Sequence, residues 1–223
     1  MKKHILTIIT AMTLLLISAS SSEAQRRSSD VIKLIQDQYN AIENFKAEFL
    51  QVQEWTILEM SDTLRGSISL IKPDYFIIET SETRLMTDGK SVWDYKLLEK
   101  SAIIDKFDPE GESFLPKEFL FEFPKRYYAV DFRQEERNGK DGFVIEMDPK
   151  NPDEEIMQHL EVWVESGIWV VKQVKYTTID DDILHYYLNN YEINTDINVG
   201  IFENLKPGSE VRIRDFRKKG GDK

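Results

Sequence analysis

The sequence predicts a mainly β fold, an antiparallel meander that closes or nearly closes as a barrel. Three observations predict it. Apolar and polar residues alternate with a period of two through much of the chain. Tight-turn signals recur at Asp88-Gly89, Asn138-Gly139, Ser166-Gly167 and the run Asp180–Asp182. A helical period is confined to an opening segment and one aromatic stretch. Strands joined by such short turns pair with their neighbours, and curling toward a barrel removes the exposed edges.

The first 24 residues read as a cleaved secretory signal. Lys2 and Lys3 form a positive start, Ile5 to Ile17 give an apolar stretch of 13 residues, and Ser22-Glu23-Ala24 places small residues at −3 and −1 for cleavage before Gln25. A membrane span needs roughly 20 apolar residues, so this stretch is short for an anchor. Residues 25–223 then form a single domain. Ser28-Ser29-Asp30 offers a helix N-cap, followed at helical spacing by Val31, Leu34, Ile35, Tyr39 and Ile42. Phe45, Ala47 and Phe49 alternate with Lys46 and Glu48, and Leu64, Gly66, Ile68 and Leu70 alternate with Arg65, Ser67 and Ser69. Further strands are expected at Ser91–Tyr95, Phe143–Met147, Leu160–Val164, Ile168–Thr177 and Leu184–Ile193.

Phe107 to Phe132 is rich in aromatic residues, among them Phe114, Phe119, Phe121 and Phe123. Pro116 suits a helix N1 position, with Leu115, Phe119, Leu120 and Phe123 on one side. Alternate phenylalanines fit a strand as well; a short apolar helix bounded by Pro116 and Pro124 is the expectation carried forward. The basic, Gly-ended residues 212–223 read as a frayed tail.

Composition narrows the chemistry. The absence of cysteine excludes a disulfide scaffold, a thiol nucleophile, a lipidated N-terminal cysteine and every cysteine-containing zinc site. A formal net charge of −11 argues against nucleic acid as a partner, and loss of Lys2, Lys3 and Glu23 with the leader adds one more negative unit. His159 and His185 have no metal-ligand spacing and are expected as ordinary polar residues on strand faces. The acidic run Asp105–Glu112 departs from a calcium-loop spacing and carries Pro109 among the would-be ligands. No nucleophile, metal or phosphate motif stands out, so neither an enzyme nor a cofactor is expected.

One resemblance adds to this reading. Gly66-Ser67-Ile68-Ser69-Leu70-Ile71-Lys72-Pro73-Asp74-Tyr75-Phe76, followed by Thr87-Asp88-Gly89-Lys90-Ser91-Val92-Trp93-Asp94-Tyr95, resembles the periplasmic lipoprotein carrier family LolA. The opening helix, Phe45–Gln51, and Phe202 with Lys206-Pro207-Gly208 match in order along the chain. The resemblance implies an incomplete, strongly curved antiparallel barrel, with short helices forming a lid over an apolar cavity. It implies a periplasmic chaperone, a monomer, that binds the acyl chains of lipoproteins released by an inner-membrane ABC transporter and passes them to an outer-membrane acceptor. The cavity residues it points to are Phe49, Ile68, Leu70, Phe76, Ile78, Trp93 and Tyr95; the lid residues are Phe114, Leu115, Phe119, Leu120 and Phe123. Where the family has a lid-latching arginine this chain has Lys72, whose ammonium lacks the planar fork of a guanidinium. If the strand runs on through Pro73, parity puts Lys72 on the face of Leu64, Ile68, Leu70, Phe76 and Ile78; otherwise Lys72 ends a strand in solvent. Two other readings stay open: a periplasmic module sensing lipid or lipoprotein, and a secreted hydrolase using two carboxylates.

Overall fold

The computed structural model describes residues 27–108, 123–202 and 210–217. A helix, α1, covers 27–41. Twelve strands follow: β1 (Asn44–Trp55), β2 (Met60–Ile71), β3 (Tyr75–Thr80), β4 (Thr83–Asp88), β5 (Ser91–Lys96), β6 (Ser101–Lys106), β7 (Tyr127–Gln134), β8 (Gly142–Pro149), β9 (Met157–Glu165), β10 (Val170–Thr178), β11 (Ile183–Ile193) and β12 (Arg212–Asp215). They form one sheet in the order β12-β6-β5-β4-β3-β2-β1-β11-β10-β9-β8-β7. The sheet is curled and open, as the expected incomplete barrel requires. Two meanders, β1–β6 and β7–β11, are joined by the antiparallel pairing of β1 with β11.

The turns form where the sequence marks them. Gly89, Asn138, Gly139, Gly167 and Asp181 all take positive φ, which Gly, Asn and Asp tolerate best. Gly66 meets a different demand. A Cβ there would lie 2.5 Å from the Phe49 ring and 2.4 Å from the Glu79 carbonyl oxygen, so only glycine lets Phe49 lie across β2.

Cross-strand partners share a face, and the register assigns one continuous apolar face. Phe45 pairs with Leu70 and Leu70 with Phe76; Ala47 pairs with Ile68 and Ile68 with Ile78. On the other meander Val174, Val162 and Ile145 align, as do Tyr176, Leu160 and Met147. These residues form one core with Val31 and Ile35 of α1, with Ile42 just past its end, and with Phe123. Burying each such α1 side chain contributes about 1.5–3 kcal/mol.

Three expectations are corrected. Residues 27–30 are already helical, so Ser28-Ser29-Asp30 is not a cap; Ser28 is buried and opens the stripe that Val31 and Ile35 continue. Leu34 lies at the edge of that stripe, 38% exposed. Residues 212–215 are not frayed: β12 pairs parallel with β6, and Val211 packs on the sheet behind it.

Candidate functional site

The α1-covered face gathers five of the seven cavity residues named from sequence. Ile68, Leu70 and Phe76 are buried in the core beneath α1, with Phe49 and Ile78 half-buried beside them. The Phe76 ring meets Phe107 edge-on at 6.3 Å, and Phe49 meets Tyr186 at 6.4 Å. Burial pushes the Tyr186 phenol up to about 12 and raises the phenols of Tyr176 and Tyr191 well above their usual range. All three stay neutral at any ordinary pH, so the face presents no charge from them.

Trp93 and Tyr95 lie elsewhere. Phe76 pairs with Thr87 and Thr87 with Val92, whereas Trp93 pairs with Met86 and Met86 with Ile77. Trp93 and Tyr95 therefore belong to the opposite face, in a second cluster with Met86, Ala102 and Ile104. The physical reason is that β3 is apolar on both sides: Phe76 and Ile78 look toward α1, and Ile77 looks away. Of the lid residues, Phe123 is buried at the start of a 3-10 turn, Phe123–Lys125. Phe114, Leu115, Phe119 and Leu120 lie outside the described residues.

Lys72 occupies a turn and not a continuing strand. β2 ends at Ile71, the Lys72–Pro73 bond is cis, and β3 starts at Tyr75. Residues 68, 70, 76 and 78 still share a face, because the hairpin pairs them directly. From this turn the ammonium reaches α1. Its Nζ donates to the carbonyl of Tyr39, donates to the Asn40 carbonyl at 3.3 Å, and stands 4.2 Å from the centre of the Tyr39 ring. The last carbonyls of a helix have no partner within it and carry the negative end of the helix dipole, so a cation is well placed there. Burial lowers the Lys72 pKa, and Glu43 opposes that only in part.

A second group holds the same helix end, and no sequence signal announces it. Asn194 leaves β11 with φ +53. Its Nδ2 donates to the Ala41 carbonyl at 3.0 Å, while its Oδ1 accepts from the N–H of Glu43 at 2.7 Å and of Asn44 at 3.3 Å. The Asn44 side chain answers by accepting from the Thr195 N–H at 3.0 Å. Lys72 and Asn194 thus grip the end of α1 from the two strands, β2 and β11, that flank β1.

The opposite face of β7–β11 is a lattice of ion pairs. Arg133 bonds Glu135, Glu146 and Glu161, and Arg137 bonds Glu135, Glu161 and Gln173. Glu146 and Glu161 stand directly opposite across β8 and β9 and share Arg133. Burial pushes Glu161 up, but the hydrogen bonds from Arg137 and Arg133 outweigh it and hold its carboxyl below the usual range. A general acid needs the reverse shift. His159 pairs with Asp148 at 2.8 Å, and His185 lies against Tyr187, both on this polar face.

Residues 40–204 match the family described as outer membrane lipoprotein carrier protein LolA. An uncharacterised protein of Methanocaldococcus jannaschii is 22% identical over 191 residues, which cover 82% of this chain and 52% of that protein. The chain thus spans about half the length of the curated relative it matches. An uncharacterised conserved protein of Thermus thermophilus shares the fold, with a TM-score of 0.56 at 8% identity over 85% of this chain and 99% of the other. A LolA superfamily protein of Nitrosomonas europaea aligns over 76% of this chain and 96% of its own, at 11% identity and a TM-score of 0.39.

Proposed function

Because the chain belongs to the outer membrane lipoprotein carrier family, LolA, we propose that it is a periplasmic carrier that takes the acyl chains of lipoproteins against the sheet face under α1. The observation that carries this reading is one continuous apolar face covered by a helix whose last turn is held by Lys72 and Asn194. Val31 and Ile35 are buried on that face, so α1 covers the surface that acyl chains would take. Cargo replaces the helix by swinging it about the end held by Lys72 and Asn194.

Magnitudes favour such an exchange. Each buried methylene contributes about 0.8 kcal/mol, so three acyl chains bring on the order of tens of kcal/mol of apolar surface into water. A carrier must cover that surface and still release it without a nucleotide. Closing α1 over the emptied face recovers apolar burial and offsets part of the cargo's affinity. In this reading Phe49, Ile68, Leu70, Phe76 and Ile78 line the acyl site, Lys72 is the latch, and Phe114, Leu115, Phe119, Leu120 and Phe123 complete the lid. Residues 1–24 direct export, an ABC transporter in the inner membrane supplies cargo, and an outer-membrane acceptor receives it. The work is binding and transfer, with no bond made or broken.

The test is to mix the chain lacking residues 1–24 with a triacylated lipopeptide and with the same peptide unacylated, and to resolve soluble complexes by size exclusion. A complex with the acylated form alone is expected. No complex, or equal complexes with both peptides, overturns the proposal.

A further inference from the structure

The β1–β2 hairpin overhangs its neighbour. β2 pairs with β1 along its whole length from Met60, but with β3 only from Gly66 onward. On the β3 side, Met60–Arg65 therefore has no strand beside it among the described residues, and Met60, Ser61, Asp62 and Thr63 are all exposed. The direction of the free groups follows from the turn. The Lys72 N–H donates toward β1, to the Glu43 carbonyl at 2.9 Å, and β2 pairs with β1 without a register shift. Even-numbered N–H groups thus face β1, and those of Ser61 and Thr63 face the open edge. The Thr63 N–H is held only by the adjacent Asp62 carboxylate at 2.7 Å.

An open edge of this kind is normally guarded by charge, proline or a bulge. Here the tip beside it is aliphatic: Ile57 is 81% exposed, Leu58 64% and Met60 59%. The tip is also fixed, because the Thr56 N–H donates to Asp182 Oδ1 at 3.0 Å and the Thr56 hydroxyl to the Asp181 carbonyl at 2.6 Å. Charge at the tip is acidic, and Arg65 lies at the far end of the overhang. Glu54, Glu59 and Asp62 are joined by Asp181 and Asp182, and no Lys or Arg occurs from 54 to 64.

We propose that this overhanging edge is a docking site for an extended, cationic segment of a partner protein, which adds as a strand beside Ser61–Thr63 with its aliphatic side chains against Ile57, Leu58 and Met60. Backbone pairing supplies the affinity, and Asp62, Glu59 and their acidic neighbours select Lys or Arg. Two copies of this chain meeting here would bring Asp62 and Glu59 against their own kind, and an anionic lipid surface would be repelled. The proposal is independent of acyl carriage, since it uses no residue under α1.

The probe is the peptide acetyl-(Lys-Val)4-amide, with acetyl-(Glu-Val)4-amide as its counterpart, read by fluorescence titration and by amide hydrogen exchange. The Lys peptide is expected to bind and to slow exchange at Ser61 and Thr63, and the Glu peptide to do neither. Thr63→Pro removes an N–H that β1 does not use and should weaken binding by at least about tenfold with an unchanged melting temperature. Asp62→Lys should do the same while keeping the Thr63 N–H in place. Absent or equal binding of the two peptides, or full binding by both variants, overturns the proposal. So does protection of Ser61 and Thr63 by phosphatidylglycerol vesicles, or by self-association with no peptide present.

Discussion

The ammonium of Lys72 stands 4.2 Å from the centre of the Tyr39 ring and donates a hydrogen bond to the carbonyl of that same residue. One side chain thereby ties the β2–β3 turn to both the ring and the backbone of the last helical turn of α1. The two contacts differ in what they need: the ring needs a positive charge, and the carbonyl needs only a donor.

Lys72→Met keeps most of the side-chain volume and removes charge and donor together. Amide exchange in the last turn of α1 should accelerate by about tenfold, as expected for the loss of one half-buried charged contact of roughly 1 kcal/mol. Lys72→Arg should restore protection. Equal exchange in all three proteins would show that Lys72 fastens nothing.

Asn194 should matter as much as Lys72. Asn194→Gly keeps the positive φ and strips the amide, leaving the Ala41 carbonyl and the N–H groups of Glu43 and Asn44 without their side-chain partner. A loss of about 1–2 kcal/mol in urea unfolding is expected. Asn194→Ala should lose more, because it adds backbone strain to the missing bonds.

Gly66→Val places methyl groups where the Phe49 ring and the Glu79 carbonyl already lie. It should destabilise by about 1–3 kcal/mol as the ring is driven aside, and acyl-peptide binding should fall with it. A fully stable variant with normal binding would mean that the position of Phe49 is immaterial.

Acid should loosen the β7–β9 end before the rest. Hydrogen bonds from Arg137, and then from Arg133, hold the Glu135 carboxyl low, and the same two guanidinium groups hold Glu161 low against its burial. Depressed carboxyl values mean that the unfolded chain binds protons first. Their stabilisation is therefore complete above the ordinary value of 4.5 and is lost as pH falls through the lower folded values. Melting temperatures measured from pH 6 downward should drop below that point, and Glu161→Gln should flatten the drop.

The alternation of Phe45, Ala47 and Phe49 and the glycine and aspartate turn signals made the meander legible, since each depends on neighbours in sequence. Trp93 was harder to place. Its face depends on the registers of two successive hairpins, and Ile77 beside Phe76 and Ile78 hides the parity at the first of them. For Lys72 the sequence leaves two positions open, the apolar face if the strand runs on through Pro73 or solvent at a strand end; the chain turns there, and the hairpin pairing keeps residues 68, 70, 76 and 78 on one face. Asn194 was not legible at all. Its partners lie about 150 residues away, and an asparagine at a strand end announces only a turn.

In the proposed function acyl chains occupy the face under α1 and not the face of Trp93. A fatty acid carrying a nitroxide on its chain, titrated into methyl-labelled protein, reports this directly through the broadening of nearby methyl signals. Broadening is expected at Ile68, Leu70 and Ile78, with Met86 and Ile104 left sharp. Broadening at Met86 and Ile104, with Ile68, Leu70 and Ile78 unchanged, would contradict it.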